Sequence, residues 1–323
     1  MQESSSKRPN LTHDVKIILD KLEENKIQIT KQTTYEEVRK YYEENHKAKD
    51  SDLPAHIQDI EVEDGTGKKI PVRIVRPENN DETLPVLFYL HGGGWVTGTA
   101  EGYDRFIRKI VNCSQNAVVF PSYSLSPEVK YPTAINECYE VLKYISEHGQ
   151  DYKLDKDKIA VIGDSAGGNM AAVMPLMAKE KKGPDIKFQI LMCPMTDLNL
   201  ATDSIEEFAN GPWITKVGLK WYRKQYLVDK GQRDDAYASP LIAEYTELAG
   251  LPPAFIITAE SDPLRDDGEA YARRLNKADV PVSCVRYNGT IHNFIVNDAL
   301  ADTLPSKMAM AQICSVSKRI LKN

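Results

Sequence analysis

From Ile57 onward, short runs of β-branched and aromatic residues alternate with stretches of helical periodicity, and this alternation limits the chain to few architectures. The strand-like runs are Ile57–Val62, Pro71–Arg76, Pro85–Leu90, Val118–Ser122, Lys158–Ile162, Phe188–Cys193, Ala254–Thr258 and Ser283–Tyr287. Helical stretches stand near Tyr103–Val111, Thr133–Glu147, Ala166–Glu180, Gly268–Lys277 and Ser306–Leu321. Strands separated by helices of this length need crossover connections, so they predict a mainly parallel sheet of eight strands covered by helices on both faces. The two earliest strands, joined by the turn Asp64-Gly65-Thr66-Gly67, are expected to run antiparallel to the rest.

Two regions depart from this rhythm. Residues 1–50 are charge-rich and lack glycine, yet Val15, Ile18, Leu19 and Leu22 fall on one helical stripe and Tyr35, Val38, Tyr41 and Tyr42 on another. Such helices bury little by themselves and need a surface to lie on. Thr196–Tyr237 separates two strands by about forty residues, too long for an ordinary connection, and carries Phe208, Trp213, Trp221, Tyr222 and Tyr226. The expected organisation is therefore cap helices at 1–50, a first core segment at 51–195, a cap insertion at 196–237 and a second core segment at 238–323.

Charge excludes some functions. With 41 Lys+Arg against 47 Asp+Glu the net charge is -6, against the basic face of a nucleic-acid binder. The longest apolar run, Met170–Ala178, is interrupted by Pro175 and falls short of the ~18 residues that span a bilayer, so no membrane insertion is expected. The start MQESSSKRPN has no apolar core of a signal peptide. Cys113, Cys138, Cys193, Cys284 and Cys314 are odd in number, widely spaced and free of any CxxC pattern, which predicts a cytoplasmic protein with reduced thiols and no metal.

The chemistry begins at Gly163-Asp164-Ser165-Ala166-Gly167-Gly168, which follows an apolar strand and opens a helix. A sharp turn there lifts the Ser165 hydroxyl clear of the sheet, at a helix N-terminus. A serine hydroxyl is a poor nucleophile without a base that is itself oriented by a carboxylate. Of the six histidines, His13, His46, His56, His91, His148 and His292, only His292 follows Ser165, and it comes directly after the last strand. Asp262 lies just past the strand Ala254–Thr258 on the same edge of the sheet; Asp266 and Asp267, close behind, also suit the first turn of the next helix. After the strand Pro85–Leu90 comes His91-Gly92-Gly93-Gly94-Trp95. Its glycines let backbone N–H groups turn toward a substrate carbonyl and, with the N–H of Ala166, hold a developing oxyanion. His91 is read as holding this loop, and the glycine spacing does not fit a phosphate loop.

These motifs, in this order, resemble the hormone-sensitive lipase family of α/β-hydrolases, in its bacterial carboxylesterase branch. The resemblance runs from the HGGGW motif to His292, and the N-terminal helices fit the family's cap. Asp262-Pro263-Leu264-Arg265-Asp266-Asp267-Gly268 is similar to the family's D-P-L-R-D-E-G segment, which implies that Asp262 is the acid of a Ser165–Asp262–His292 triad. By the same resemblance Gly93, Gly94 and Ala166 are the oxyanion donors, while Gly92, His91 and Asp164 support the motif. The implied activity is hydrolysis of short- to medium-chain carboxylic esters through an acyl-enzyme, without cofactor. Trp95, Trp213 and Tyr222 are expected to line the substrate pocket. An amidase of arylformamidase type would use the same groups, and relatives such as the plant gibberellin receptors bind without turnover after losing the histidine. The partner expected is a small ester, and family dimers make a homodimer an expectation.

The sequence also departs from the family. Tyr123-Ser124-Leu125-Ser126-Pro127-Glu128 has serines where arginine and alanine are usual, and Asn293 follows His292 where glycine is more frequent. Pro175 falls ten residues after Ser165, inside the expected elbow helix, where a kink is expected.

Overall fold

A computed structural model describes residues 10–24, 26–45 and 53–322. The expectations for the extreme N-terminus and for His46 lie outside the described residues. Eight strands form one sheet: β1 (Ala55–Glu63), β2 (Lys69–Pro77), β3 (Leu84–Leu90), β4 (Ala117–Pro121), β5 (Leu154–Asp164), β6 (Ile186–Met192), β7 (Ala254–Ser261) and β8 (Val282–Ile291). Their order across the sheet is β1-β2-β4-β3-β5-β6-β7-β8. β4, β3, β5, β6, β7 and β8 are mutually parallel.

The direction of the first hairpin corrects the sequence reading. β1 pairs antiparallel with β2, and β2 pairs antiparallel with β4. Two strands of a hairpin oppose each other, so only one can oppose the sheet: β2 does, and β1 returns to the common direction. β1 forms the outer edge, with Asp59, Glu61 and Glu63 exposed along it. Across the hairpin Arg73 donates to Asp59 at 2.8 Å and Lys69 to Glu61 at 2.9 Å.

The helices are α1 (His13–Glu24), α2 (Tyr35–Asn45), α3 (Asp104–Ser114), α4 (Thr133–His148), α5 (Ala166–Lys181), α6 (Asp203–Glu207), α7 (Lys216–Tyr226), α8 (Tyr245–Leu248), α9 (Arg265–Lys277) and α10 (Leu304–Lys322). None of the described helices is long and apolar enough to cross a membrane. Alternation along the buried strands divides the core in two. Val86, Phe88 and Leu90 of β3 face α4, α5 and α9, whereas Leu87 and Tyr89 face α1, α3 and α10. Pro175 stays within α5 and is buried.

Cys113 on α3 and Cys314 on α10 are joined in a disulfide, with Cα atoms 5.7 Å apart and a sequence separation of 201. This overturns the expectation that all thiols are reduced and removes the support it lent to a cytoplasmic location. Spacing could not reveal the pair, because packing of α3 against α10 brings the sulfurs together. Cys138, Cys193 and Cys284 are free.

The end of the sheet where the parallel strands finish is covered by α2 and α7. Val38 of α2 packs with Val96 and Trp221, and the Trp221 indole N–H donates to the Thr33 carbonyl at 2.8 Å. Arg39 fastens α2 from above, donating to the carbonyls of Val96 (2.9 Å) and Ser126 (3.0 Å) and pairing with Glu128. The segment Tyr123–Glu128 thus receives α2 at Ser126 and Glu128. α1 packs differently, with Val15 and Leu19 in the core cluster of α3 and α10.

Candidate active site

Four loops meet at this end of the sheet, each directly after a parallel strand: residues 91–94 after β3, Ser165 after β5, Asp262 after β7 and His292 after β8. Parallel strands all deliver their C-terminal ends to one edge, which is why groups distant in sequence converge there.

Ser165 joins β5 to α5 with φ 54° and ψ -117°, a backbone conformation that few non-glycine residues adopt. Its N–H donates to Met192 O (2.9 Å) and its carbonyl accepts from Asn169 N (3.0 Å), so both neighbouring elements hold the turn. The close passage requires glycine at 167: a Cβ there would stand 2.0 Å from the Leu90 carbonyl oxygen. Ser165 Oγ lies 2.9 Å from His292 Nε2, and His292 Nδ1 lies 2.8 Å from Asp262 Oδ2. An ionised carboxylate can only accept, so Nδ1 carries the proton and Nε2 is free to accept from the serine. Asp262 is fully buried and accepts from Leu264 N at 2.9 Å. Asp266 and Asp267 are turned elsewhere. Asp266 accepts from Ser204 N (2.8 Å), and Asp267 from Thr202 Oγ1 (2.9 Å), Asp197 N (3.1 Å) and Thr196 N (3.2 Å).

Gly93 and Gly94 face the same cavity as Ser165, Ala166 and His292. Among the described residues, the N–H groups of Gly93 and Gly94 meet no protein acceptor, and the Ala166 N–H opens α5, where the helix offers none. Gly94 has φ +62°, and a Cβ there would stand 2.2 Å from the Tyr222 ring.

Asp164, buried beneath the loops, ties them together. Its Oδ1 accepts from Tyr89 Oη (2.6 Å) and Gly92 N (3.0 Å); its Oδ2 accepts from Asn293 Nδ2 (2.8 Å) and Tyr103 Oη (3.2 Å). Burial pushes its carboxyl up from the ordinary range, and these donors oppose the shift. Sequence reasoning gave Tyr89 and Tyr103 no role and noted Asn293 only as the residue after His292. Asn293 offered a signal as a departure from the resembled family, and it stands at φ 56°, a conformation that favours glycine. Asparagine tolerates that conformation and adds an amide. His91 is buried between Phe120 and Tyr123, with ring centroids 5.2 and 4.2 Å away. Its Nδ1 donates to Gly92 O at 2.8 Å, and burial lowers its pKa to about 4, so the imidazole is neutral.

The cavity above Ser165 measures about 190 Å³. Trp213 and Tyr222 from the 196–237 segment line it, as do Val38, Tyr41 and Tyr42 of α2. Trp95 also borders it, but its indole is fully buried and stacks on Tyr226 at 4.0 Å. Cys193, Asp262 and His292 offer donor atoms within 4.8 Å of one another, the spacing of a metal site. Burial holds the Cys193 thiol protonated, and it donates to Asp262, while His292 Nδ1 donates to the same carboxylate. That donor set is satisfied by protons and does not fit a cation.

The family model of the α/β-hydrolase fold matches residues 87–296, a segment that holds Gly93, Ser165, Asp262 and His292. An α/β-hydrolase of Acanthamoeba polyphaga mimivirus is 38% identical over 289 residues, 90% of this chain and 83% of its own. The carboxylesterase NlhH of Mycobacterium tuberculosis is 37% identical over 227 residues, 70% of this chain and 71% of its own. The solved structure of a thermostable esterase from Pseudomonas putida superimposes with a TM-score of 0.91 at 39% identity, over 97% of this chain and 98% of that one.

Proposed function

We propose a mechanism from the premise that the chain belongs to the α/β-hydrolase family, in its hormone-sensitive lipase and carboxylesterase branch, and is a carboxylic ester hydrolase. An ester lies beneath α2 and α7 with its carbonyl oxygen toward the N–H groups of Gly93, Gly94 and Ala166. Ser165 Oγ attacks the carbonyl carbon while His292 Nε2 takes its proton. Asp262 holds the imidazole in the required tautomer and stabilises the imidazolium. The three N–H groups stabilise the oxyanion as it forms. His292 then protonates the departing alcohol, and a water deprotonated by the same nitrogen releases the acid from Ser165.

One observation carries this reading: an unbroken hydrogen-bond chain from Ser165 through His292 to Asp262, at 2.9 and 2.8 Å, opening on a single cavity. The limited cavity volume favours short to medium acyl groups. The division into a core and a cap drawn from residues 1–50 and 196–237 is part of the same proposal, with α2 and α7 as the parts that face substrate.

The test is hydrolysis of 4-nitrophenyl esters of increasing acyl length, beside the matching anilides, by wild type and Ser165→Ala. The expected result is a maximum at short acyl chains, weaker anilide turnover, and a kcat lowered by about 10⁴-fold or more in the variant with its Tm retained. Undiminished activity in Ser165→Ala overturns the mechanism. A maximum at long chains overturns the acyl-length reading, and anilides preferred to esters would favour an amidase.

A further inference from the structure

Among the described residues lining the cavity, Lys26 is the one lysine, arginine, aspartate or glutamate, and it is a cation. Lys26 stands in the linker between α1 and α2, its side chain only 15% exposed. Lysines at a surface usually bury their stems and keep the ammonium in water. Here Nζ lies 5.4 Å from the centroid of the Trp213 ring, which itself lines the cavity, so the ammonium is part of the wall. Trp213 packs against the apolar cluster shared by α1, α3, α10 and the residues after His292. Lys26 and Trp213 therefore form one charged stretch of the cavity wall.

The charge is poorly compensated. Its carboxylate neighbour, Glu23, is 3.9 Å away and 45% exposed, a distance and exposure at which an ion pair contributes little. Among the described residues no aspartate or glutamate lines the cavity. Burial lowers the Lys26 pKa, with Glu23 opposing only in part. A neutral ester filling the cavity would remove more water from this ammonium and give nothing back. An ester that brings an anion would pair with it in a partly dry site, where charge attraction is stronger than in water.

We propose that the cavity selects esters bearing a carboxylate, with Lys26 as the ion-pair partner that gives this specificity. The proposal rests on the esterase reading above and leaves its bond changes as they are. The substrate class is half-esters of dicarboxylic acids and acyloxy acids, in which the free carboxylate reaches toward Trp213 while the ester carbonyl meets Ser165.

Two matched pairs test it. The 4-nitrophenyl monoester of adipic acid against 4-nitrophenyl hexanoate places the charge on the acyl side. 4-Acetoxybenzoate against 4-acetoxybenzamide places it on the alcohol side. For each pair the ratio of kcat/KM, charged over neutral, is measured in wild type, Lys26→Met and Lys26→Glu. In at least one pair the ratio is expected to fall about tenfold or more in Lys26→Met, mainly through KM, and further in Lys26→Glu. Raising ionic strength should shrink the wild-type ratio toward that of Lys26→Met. Turnover with ratios unchanged among the three proteins overturns the proposal alone. No turnover of any of the four esters by wild type overturns the esterase reading and this proposal with it.

Discussion

The floor of the cavity and its roof are held by different means. In the floor, one buried carboxylate, Asp164, receives Tyr89 from β3, Gly92 from the loop after it, Tyr103 ahead of α3 and Asn293 beside His292. In the roof, α2 buries only Val38, and its attachment runs through Arg39, the Trp221–Thr33 hydrogen bond and the hydrogen bond of Tyr42 with Tyr103. A group fixed by four neighbours has one geometry; a helix fixed by a few contacts can be resurfaced. On the proposed mechanism, the contrast would put the chemistry in the floor and the choice of substrate in the roof.

The largest expected effect is in the floor. Gly167→Ala would press a methyl onto the Leu90 and His91 carbonyl oxygens, at 2.0 and 2.5 Å. We expect a loss of about 3 kcal/mol or more by chemical denaturation and about 10²-fold or more in activity, because backbone on both sides must shift. If the variant keeps both, the floor is no more rigid than the roof and the contrast fails.

Acid comes next. His91 titrates near 4 in the folded protein against an ordinary 6.5, so between these values the unfolded chain binds the proton that the folded one refuses. Stability held at neutral pH should therefore drain as pH falls from 6.5 toward 4, by up to about 3 kcal/mol. Asp267 acts with opposite sign. Its carboxyl is pushed up to about 7 by burial, so its contribution is lost as pH rises through that range. Comparing urea denaturation of wild type and His91→Asn across pH cancels the Asp267 effect, and the variant should show the shallower acid loss.

Asn293→Asp sharpens the comparison inside the floor. It sets a second carboxylate against Asp164 Oδ2, where the amide now donates at 2.8 Å. Two ionised carboxylates cannot share that contact, so kcat should fall about tenfold at pH 8 and recover as pH drops and one takes a proton. Asn293→Gly should lose activity without that recovery, and parallel pH profiles for the two variants would deny the link any positioning role. The smallest effect is expected in the roof. Arg39→Met should lower stability by about 1 kcal/mol, since its Glu128 partner is exposed, and raise KM more than it lowers kcat. A kcat loss to match that of Asn293→Asp would show the roof to be part of the chemistry.

Much of the fold was legible because it is written locally. Each strand-like run coincides with an observed strand, apart from an overhang of one residue at Ser122 and at Cys193, and the periodicity of each core helix reflects the face it buries. The order of Gly93, Ser165, Asp262 and His292 along the chain was legible too, since parallel strands bring their C-terminal ends together. What stayed hidden depends on pairings across long separations. Asn293 lies 129 residues from Asp164 and Cys113 lies 201 from Cys314, and neither pairing leaves a periodic trace. Lys26 was hidden for another reason: within a charge-rich segment a lysine looks like any solvated charge. Only the fold of the linker onto Trp213 sets it apart.

The outermost strand bears on how copies of the chain can meet. A second copy adding its own β1 antiparallel across a twofold axis would bring Asp59, Glu61 and Glu63 against the same acidic residues. It would also have to strip water from the Asp59–Arg73 and Glu61–Lys69 pairs. An open strand edge invites growth from molecule to molecule, and acidic side chains along it are a common defence. Among the described residues the sheet is thus guarded at β1 by charge, and a twofold partner would meet less repulsion on another face.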